Sequence, residues 1–351
     1  MTRADRVAAR LEDIDALLIT EPANLRYVTG FTGSNGFAVV SEHIRRFVTD
    51  FRYVEQAKAE VPDFDRVQGP QELLAALSSL EGVERLGFDD AHMSVRAHRR
   101  LGELLPAGVE LVPAAGVVEA VRAVKEPDEV RRIAASAALV DDIYDWLLEF
   151  GLVGRTEREV AVALEHEMRL RGASGPSFDS IVASAEHGAL PHAQPRDVPI
   201  AKHTLVTIDI GAVLDGYCSD CTRTWATGEV PDVLAETHAL VLRAQVAALD
   251  AVRPGPSGRE LDAIARDIIA AAGHAEHFGH GLGHGVGLVT HEAPRLARTA
   301  EARLVPGNVV TVEPGVYLPG IGGVRIEDLV VVTDDGRDVL SRTTKELLTV
   351  T

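Results

Sequence analysis

Short apolar runs alternate with helix-spaced stretches through the first third of the chain. Ala16-Leu-Leu-Ile-Thr20 reads as a buried strand, and Glu21-Pro-Ala-Asn24 after it as a turn. Gly36 to Ser41 and Arg46 to Thr49 read as two strands split by a polar corner, a hairpin pattern. Helical spacing recurs over Phe51 to Val61, Gln71 to Leu80 and Ser94 to Leu105, with strand-like Arg85 to Phe88 and Glu110 to Val112 between and after. This order predicts an α/β domain with a mixed sheet, residues 1–123. It contains no GxGxxG and no P-loop, so nothing in it points to a nucleotide.

A different pattern begins at residue 124. Pro127 suits a first helical turn, and Asp128 and Glu129 complement its dipole, which predicts a helix running to about Phe150. Thr156-Glu-Arg-Glu159 and Ser257-Gly-Arg-Glu260 are capping boxes that open two further helices, with another over Pro231 to Val252. Four β-rich segments carry a lone acid on one face of an otherwise apolar alternation. In Leu205 to Gly211 it is Asp209; after the Asp215-Gly216 turn it is Asp220, beside Thr222 and Thr224. In Val309 to Glu313 it is Glu313, beside Thr311; in Val324 to Val330 it is Glu327, beside Arg325. The prediction for residues 124–351 is an α+β domain, helices on one antiparallel sheet with one wet face.

Composition narrows the class of function. The 351 residues carry a net charge of −18, against the positive footprint that nucleic acid requires. No run has the length of a membrane span, and polar Met1-Thr-Arg-Ala-Asp-Arg is followed by no apolar leader, so a cytoplasmic location is expected. Cys218 and Cys221 form a C-x-x-C inside a strand-like segment, on opposite faces and without a helix N-terminus to lower a thiol pKa. Small hydrophobic filler is the better reading than redox chemistry.

The chemistry gathers in the last third. His280-Gly-Leu-Gly-His284-Gly-Val-Gly-Leu-Val-Thr-His291-Glu292 is too glycine-rich for a helix, and in extended backbone His280 and His284 share a face. A single buried histidine is usually a satisfied core residue, and any one acid is usually a solvated strand face. Four isolated carboxylates on apolar strands need partners, and with one imidazole they make a ligand set for two divalent ions. Oxygen-rich donors favour Mn, with Co, Fe or Zn admitted by the imidazole. Ions roughly 3.5–4 Å apart clamp a nucleophile and polarise a carbonyl.

These motifs resemble the pita-bread metallopeptidases: Asp209 and Asp220 in Asp-Ile-Gly-x3-Asp-Gly-Tyr-x2-Asp, His284 in Gly-His-Gly-Val-Gly-Leu-x2-His-Glu, Glu313 in Thr-Val-Glu-Pro-Gly-Val-Tyr and Glu327 in Arg-Ile-Glu-Asp. Within them the chain is most similar to the Xaa-Pro peptidases, prolidase (Xaa-Pro dipeptidase) and aminopeptidase P. Glu21-Pro-Ala-Asn-Leu-Arg-Tyr-Val-Thr-Gly-Phe31 is similar to the opening of the creatinase-type N-terminal domain. The resemblance implies that Asp209 holds one metal, Asp220 and Glu327 bridge, and His284 with Glu313 holds the other. It implies substrate contacts for His280 and His291, a place near the leaving proline for His192, and proton transfer by Glu313. It further implies that Arg325 orients Asp220 or Glu327 and that Tyr317 lines the site. Arg295 stands open between reading a dipeptide carboxylate and being an exposed arginine. Cys221, where relatives often carry an apolar residue, leaves the ligand set untouched.

The implied activity is metal-dependent cleavage of an N-terminal residue from proline, in dipeptides or longer peptides, by a homodimer or a tetramer of dimers. Other enzymes on this scaffold are the alternatives: a methionine aminopeptidase, which usually lacks the N-terminal domain, or a creatinase-like hydrolase, which lacks the ligands. An inactive peptide-binding module is a third.

Overall fold

The computed structural model describes residues 1–351. Two compact units divide the chain, Met1–Arg122 and Ala123–Thr351.

Six strands form one sheet in the first unit: β1 (Ala16–Ile19), β2 (Gly36–Val40), β3 (Arg45–Thr49), β4 (Asp65–Gln68), β5 (Arg85–Phe88) and β6 (Glu110–Pro113). Their order is β4-β3-β2-β1-β5-β6, with β1–β2 and β2–β3 antiparallel and the other pairs parallel, a mixed sheet as expected. Leu18, Phe37, Val39, Val48 and Leu86 pack from these strands against Leu77 and Leu101. The helices are α1 (Arg3–Ala8), α2 (Pro22–Thr29), α3 (Val54–Glu60), α4 (Val95–Leu104) and α5 (Val117–Arg122).

Local reading failed here in identifiable places. The turn expected at Glu21 to Asn24 is the start of α2: the Glu21 side chain accepts from the Asn24 N–H at 2.6 Å and Pro22 opens the first turn. Gly30, at φ 83°, closes it in the left-handed conformation. The spacing over residues 71–80 makes a 3-10 helix at Leu73–Ser79. Two six-residue helices, α1 and α5, are too short to show a period. The edge strand β4 is largely exposed and polar, so no alternation marks it.

In the second unit α6 (Pro127–Phe150) and α7 (Glu157–Leu170) precede strands β7 (Gly175–Pro176), β8 (Ile181–Ser184), β9 (Leu205–Ile210), β10 (Ala212–Leu214), β11 (Tyr217–Cys218) and β12 (Cys221–Ala226). Helices α8 (Asp232–Asp250) and α9 (Gly258–Ala271) follow, then β13 (Gly283–Gly285), β14 (Glu292–Leu296), β15 (Val309–Val312), β16 (Gly315–Leu318), β17 (Gly322–Arg325), β18 (Asp328–Val332) and β19 (Arg337–Val339). Both expected capping boxes form, Thr156 with Glu159 and Ser257 with Glu260.

All strand pairs in this unit are antiparallel, but the single sheet expected divides into four ladders: β12-β9-β8, β11-β10-β7, β14-β13-β15-β18-β19 and β16-β17. Short breaks fall at Gly211, Ser219-Asp220, Glu313-Pro314 and Ile326-Glu327, so three of the four acids sit where one ladder hands over to another. Pro314 has no N–H to continue its ladder.

Nor is one face wet. Strands β9, β12, β15, β16, β17 and β18 are buried throughout. Ile143, Tyr144, Leu147 and Val160 of α6 and α7 pack on Val206, Ile208, Ile210 and Trp225. Val241, Ala248, Leu261 and Ile269 of α8 and α9 cover Val310, Val312, Val324 and Val330. Each fully buried aliphatic side chain contributes about 1.5–3 kcal/mol, so these helices anchor the strands firmly. No helix is long and apolar enough to cross a membrane.

Cys218 and Cys221 are both buried and lie in different apolar clusters. Burial pushes the Cys221 thiol well up, which suits filler rather than thiolate chemistry.

Candidate metal centre

Backbone register brings the acids together. Asp209 on β9 stands opposite Thr222 on β12. Asp220 lies in the two-residue break before β12, and the Glu327 N–H, between β17 and β18, donates to the Thr222 carbonyl at 3.2 Å. Just past β15, the Glu313 N–H donates to the Leu282 carbonyl at 2.8 Å, which sets it beside β13 and His284. A Cβ on Gly283 would meet the Thr311 carbonyl oxygen at 2.1 Å, so only glycine lets β13 approach β15 this closely.

His284 Nε2 lies 3.5 Å from Asp220 Oδ2 and 3.2 Å from Glu313 Oε1. Donor atoms of Asp220, His284 and Glu327 all fall within 4.8 Å of one another. His284 Nδ1 is 3.1 Å from the Gly285 carbonyl; with the proton there, the Nε2 lone pair faces the carboxylates. The Thr311 hydroxyl donates to Glu313 Oε1 at 3.1 Å, and the Thr222 hydroxyl to Glu327 Oε2 at 2.8 Å.

Charge is crowded here. Burial, then the neighbouring charges of Glu327 and Asp209, push the Asp220 carboxyl well above its usual range. Burial and the charges of Glu313 and Asp209 do the same to Glu327. For Glu313 burial acts upward but is outweighed by the hydrogen bond and charge of His284, which hold it at about 2. Burial lowers His284, and Glu313 more than reverses this.

Asp209 Oδ1 and Glu327 Oε1 are buried without a hydrogen-bond partner. Leaving such oxygens unsatisfied costs on the order of 1–3 kcal/mol each, more when charged. A divalent cation would satisfy them and quench the repulsion, and the donors present, carboxylate oxygens with one imidazole, suit Mn, Co, Fe or Zn. The residues fit a metal.

Arg325 is the organising cation. It donates to Asp209 Oδ2 at 2.6 Å, to Thr222 Oγ1 at 3.1 Å, to the Tyr317 hydroxyl at 2.8 Å and to the Pro191 carbonyl at 3.2 Å. The expectation that it orients Asp220 or Glu327 needs correction. It binds Asp209 directly and reaches Glu327 only through Thr222, because Asp209 and Thr222 are cross-strand neighbours. The Tyr317 hydroxyl lies 2.9 Å from His280 Nε2, and His280 Nδ1 lies 2.8 Å from the Gly281 carbonyl. Burial pulls His280 below its usual pKa, so the neutral ring accepts from Tyr317 and donates to Gly281.

A cavity of about 530 Å³ opens onto the centre, lined by His192, Asp209, Asp220, His280, His284, His291, Arg295, Glu313, Tyr317 and Arg325. Glu327 does not line it and meets the centre through Asp220 and His284. The rings of His284 and His291 are 4.2 Å apart. His192, His291 and Arg295 are exposed side chains on the wall. Sequence reading missed Phe178, Asp179 and Gln194 on that wall, which carry no spacing signal. It placed Thr222 and Thr311 beside the acids, two residues from Asp220 and Glu313, without foreseeing that their hydroxyls hold Glu327 and Glu313.

The sequence matches the model of Metallopeptidase family M24 over residues 131–334. The chain belongs to that family. Residues 3–124 of this M24 peptidase match the Creatinase/Prolidase N-terminal domain, so the resemblance drawn from the motifs is borne out for both parts. The M24 chain is 36% identical to an Xaa-Pro dipeptidase of Pyrococcus horikoshii, over 95% of each. An Xaa-Pro dipeptidase structure from Bacillus anthracis superposes with a TM-score of 0.96 at 39% identity, covering 99% of each chain. An X-Pro aminopeptidase structure from Thermotoga maritima gives 0.91 at 33% identity, again over 99% of each.

Proposed function

We propose that this metallopeptidase cleaves the peptide bond between an N-terminal residue and proline, using two divalent ions. Asp209 would hold one, His284 and Glu313 the other, with Asp220 and Glu327 shared. The observation that carries this is the convergence of these donors around two buried carboxylate oxygens that no hydrogen bond satisfies. The Xaa-Pro peptidases that are similar to this chain over nearly its whole length support the substrate class.

When bound, such ions supply a water-derived nucleophile at neutral pH and polarise the scissile carbonyl. Glu313, ionised beside His284, takes the proton from the attacking water and delivers it to the leaving proline nitrogen. His280, held neutral with its ring fixed by Tyr317 and Gly281, and His291, also on the cavity wall, contact the substrate and the tetrahedral centre. His192 stands by the leaving proline. Arg295, exposed on the cavity wall, reads the carboxylate of a dipeptide, which favours the dipeptidase over the aminopeptidase P reading. Manganese is the proposed metal, from the oxygen-rich donor set, in a cytoplasmic homodimer.

The test strips the protein with chelator, restores Mn, Co or Zn, and assays Ala-Pro, Ala-Pro-Ala and Met-Ala-Ser. Cleavage of Ala-Pro alone identifies a dipeptidase, and cleavage of the tripeptide Ala-Pro-Ala an aminopeptidase P. Cleavage of Met-Ala-Ser alone, or of nothing, overturns the substrate assignment.

A further inference from the structure

One buried carboxylate outside the metal centre takes no part in the chemistry described so far. Glu157, in the first turn of α7, has no exposed side-chain surface. It accepts from both the N–H and the hydroxyl of Ser184 at 2.8 Å through Oε1. Through Oε2 it meets His187 Nδ1 at 2.9 Å, the Arg196 N–H at 3.0 Å and Arg196 Nε at 3.2 Å, while Arg196 Nη2 reaches Oε1 at 3.3 Å. Burial acts to raise its pKa, and the hydrogen bonds from Arg196 and Ser184 more than offset this, so it stays ionised.

What these donors have in common is their place in the chain. Ser184 and His187 lie on the limb entering the segment 184–196, and Arg196 on the limb leaving it. Between them Pro191, His192, Ala193, Gln194 and Pro195 form one wall of the catalytic cavity. The His187 carbonyl accepts from the Leu190 N–H at 3.1 Å and the Leu190 carbonyl from the Ala193 N–H at 3.2 Å, so two turns carry the fixed His187 to either side of His192. On the leaving side, Arg158 N–H donates to the Arg196 carbonyl at 3.1 Å and Ile200 N–H to the Arg155 carbonyl at 2.8 Å. That limb is held by these backbone bonds and an Arg158–Asp197 ion pair at 2.7 Å as well as by the Arg196 bonds to Glu157. The entering limb reaches α7 through the Glu157 carboxylate.

We propose that Glu157 is a positioning residue: by clamping both limbs of segment 184–196 it fixes the His192 wall of the cavity and thereby sets the affinity for the proline side of the substrate. This rests on the Xaa-Pro reading for its kinetic arm, and on geometry alone for its structural arm. An anion at a helix N-terminus is favourably placed, so the clamp stabilises α7 as well. Thermal stability therefore cannot separate the two roles, and the test must read the wall directly.

The experiment compares wild type with Glu157→Gln, and with Arg196→Gln as a second variant that removes a half-exposed partner and leaves the buried carboxylate in place. Amide hydrogen exchange is followed with the metal restored. Exchange over residues 185–195 should quicken by about tenfold or more in both variants, with β9 and β12 unchanged. On Ala-Pro, KM should rise by about tenfold with kcat within about twofold, and the rise should vanish in a His192→Ala background. Unaltered exchange at residues 185–195, a uniform quickening across the unit, or a KM effect that adds fully to that of His192→Ala overturns the proposal. Wild type inactive on Ala-Pro overturns the Xaa-Pro reading instead, and the exchange arm still decides the clamp.

Discussion

Arg325 donates to Asp209 Oδ2 at 2.6 Å while the other oxygen of the same carboxylate has no hydrogen-bond partner. The arginine thus aims one lone pair of Asp209 away from the protein's own donors, at the place a cation would occupy. Because Arg325 also holds Tyr317 and Thr222, a single guanidinium orients ligands and the His280 ring together. Arg325→Met should lower activity by about 10–100-fold with weakened metal binding, and Arg325→Lys should restore little, since an ammonium lacks the planar fork. Metal content after dialysis against a graded chelator, measured beside kcat, checks this.

The crowded carboxylates make a second prediction, about stability without metal. Asp220 and Glu327 are both driven towards protonation by burial and by the charges of neighbouring carboxylates. Glu327→Gln keeps the acceptor for the Thr222 hydroxyl and removes a charge. In excess chelator its melting temperature should exceed that of wild type by roughly 2–8 °C. With metal restored the order should reverse and activity be lost. A variant less stable than wild type in chelator would remove the argument from repulsion.

Lys125 and Glu292 form an ion pair at 2.7 Å with side chains only 1% and 6% exposed. Breaking such a pair from one side leaves a buried charge uncompensated. Lys125→Met should therefore cost about 3–5 kcal/mol in urea unfolding, and Lys125→Met with Glu292→Gln distinctly less than the single change.

His238, on α8, is buried, its Nε2 has no hydrogen-bond partner, and burial lowers its pKa from 6.5 to about 4 despite a hydrogen bond to the Thr224 backbone. Below pH 6.5 the unfolded chain takes up this proton first, so the stability contribution is complete above that pH and is lost as pH falls through about 4. Between about pH 7.5 and 5, wild type should lose about 2 kcal/mol more than His238→Leu. The active-site carboxylates titrate in both proteins and cancel in the difference. Parallel losses would place the proton elsewhere.

Much of this molecule was legible as local pattern. Capping boxes marked the starts of α7 and α9, and Pro127 the start of α6, because a helix terminus is satisfied by residues within one turn of it. Alternation picked out Asp209, Asp220, Glu313 and Glu327, since a lone acid among apolar strand positions is visible within six residues. The same locality explains the failures. Glu21-Pro-Ala-Asn24 carries turn residues that serve equally as a helix cap, and only the continuation through Gly30 decides between them.

By itself, then, the sequence determined which residues are candidates for the chemistry, because side-chain type and period-two spacing are properties of short segments. Only the tertiary structure decided what each one faces. Arg325 and Asp209 are 116 positions apart, and Arg196 and Glu157 are 39 apart. Those meetings depend on strand register and on helices covering the outer face of the strands, which leave the acids in a cavity among buried strands. Burial then converts ordinary surface acids into a centre that needs a cation.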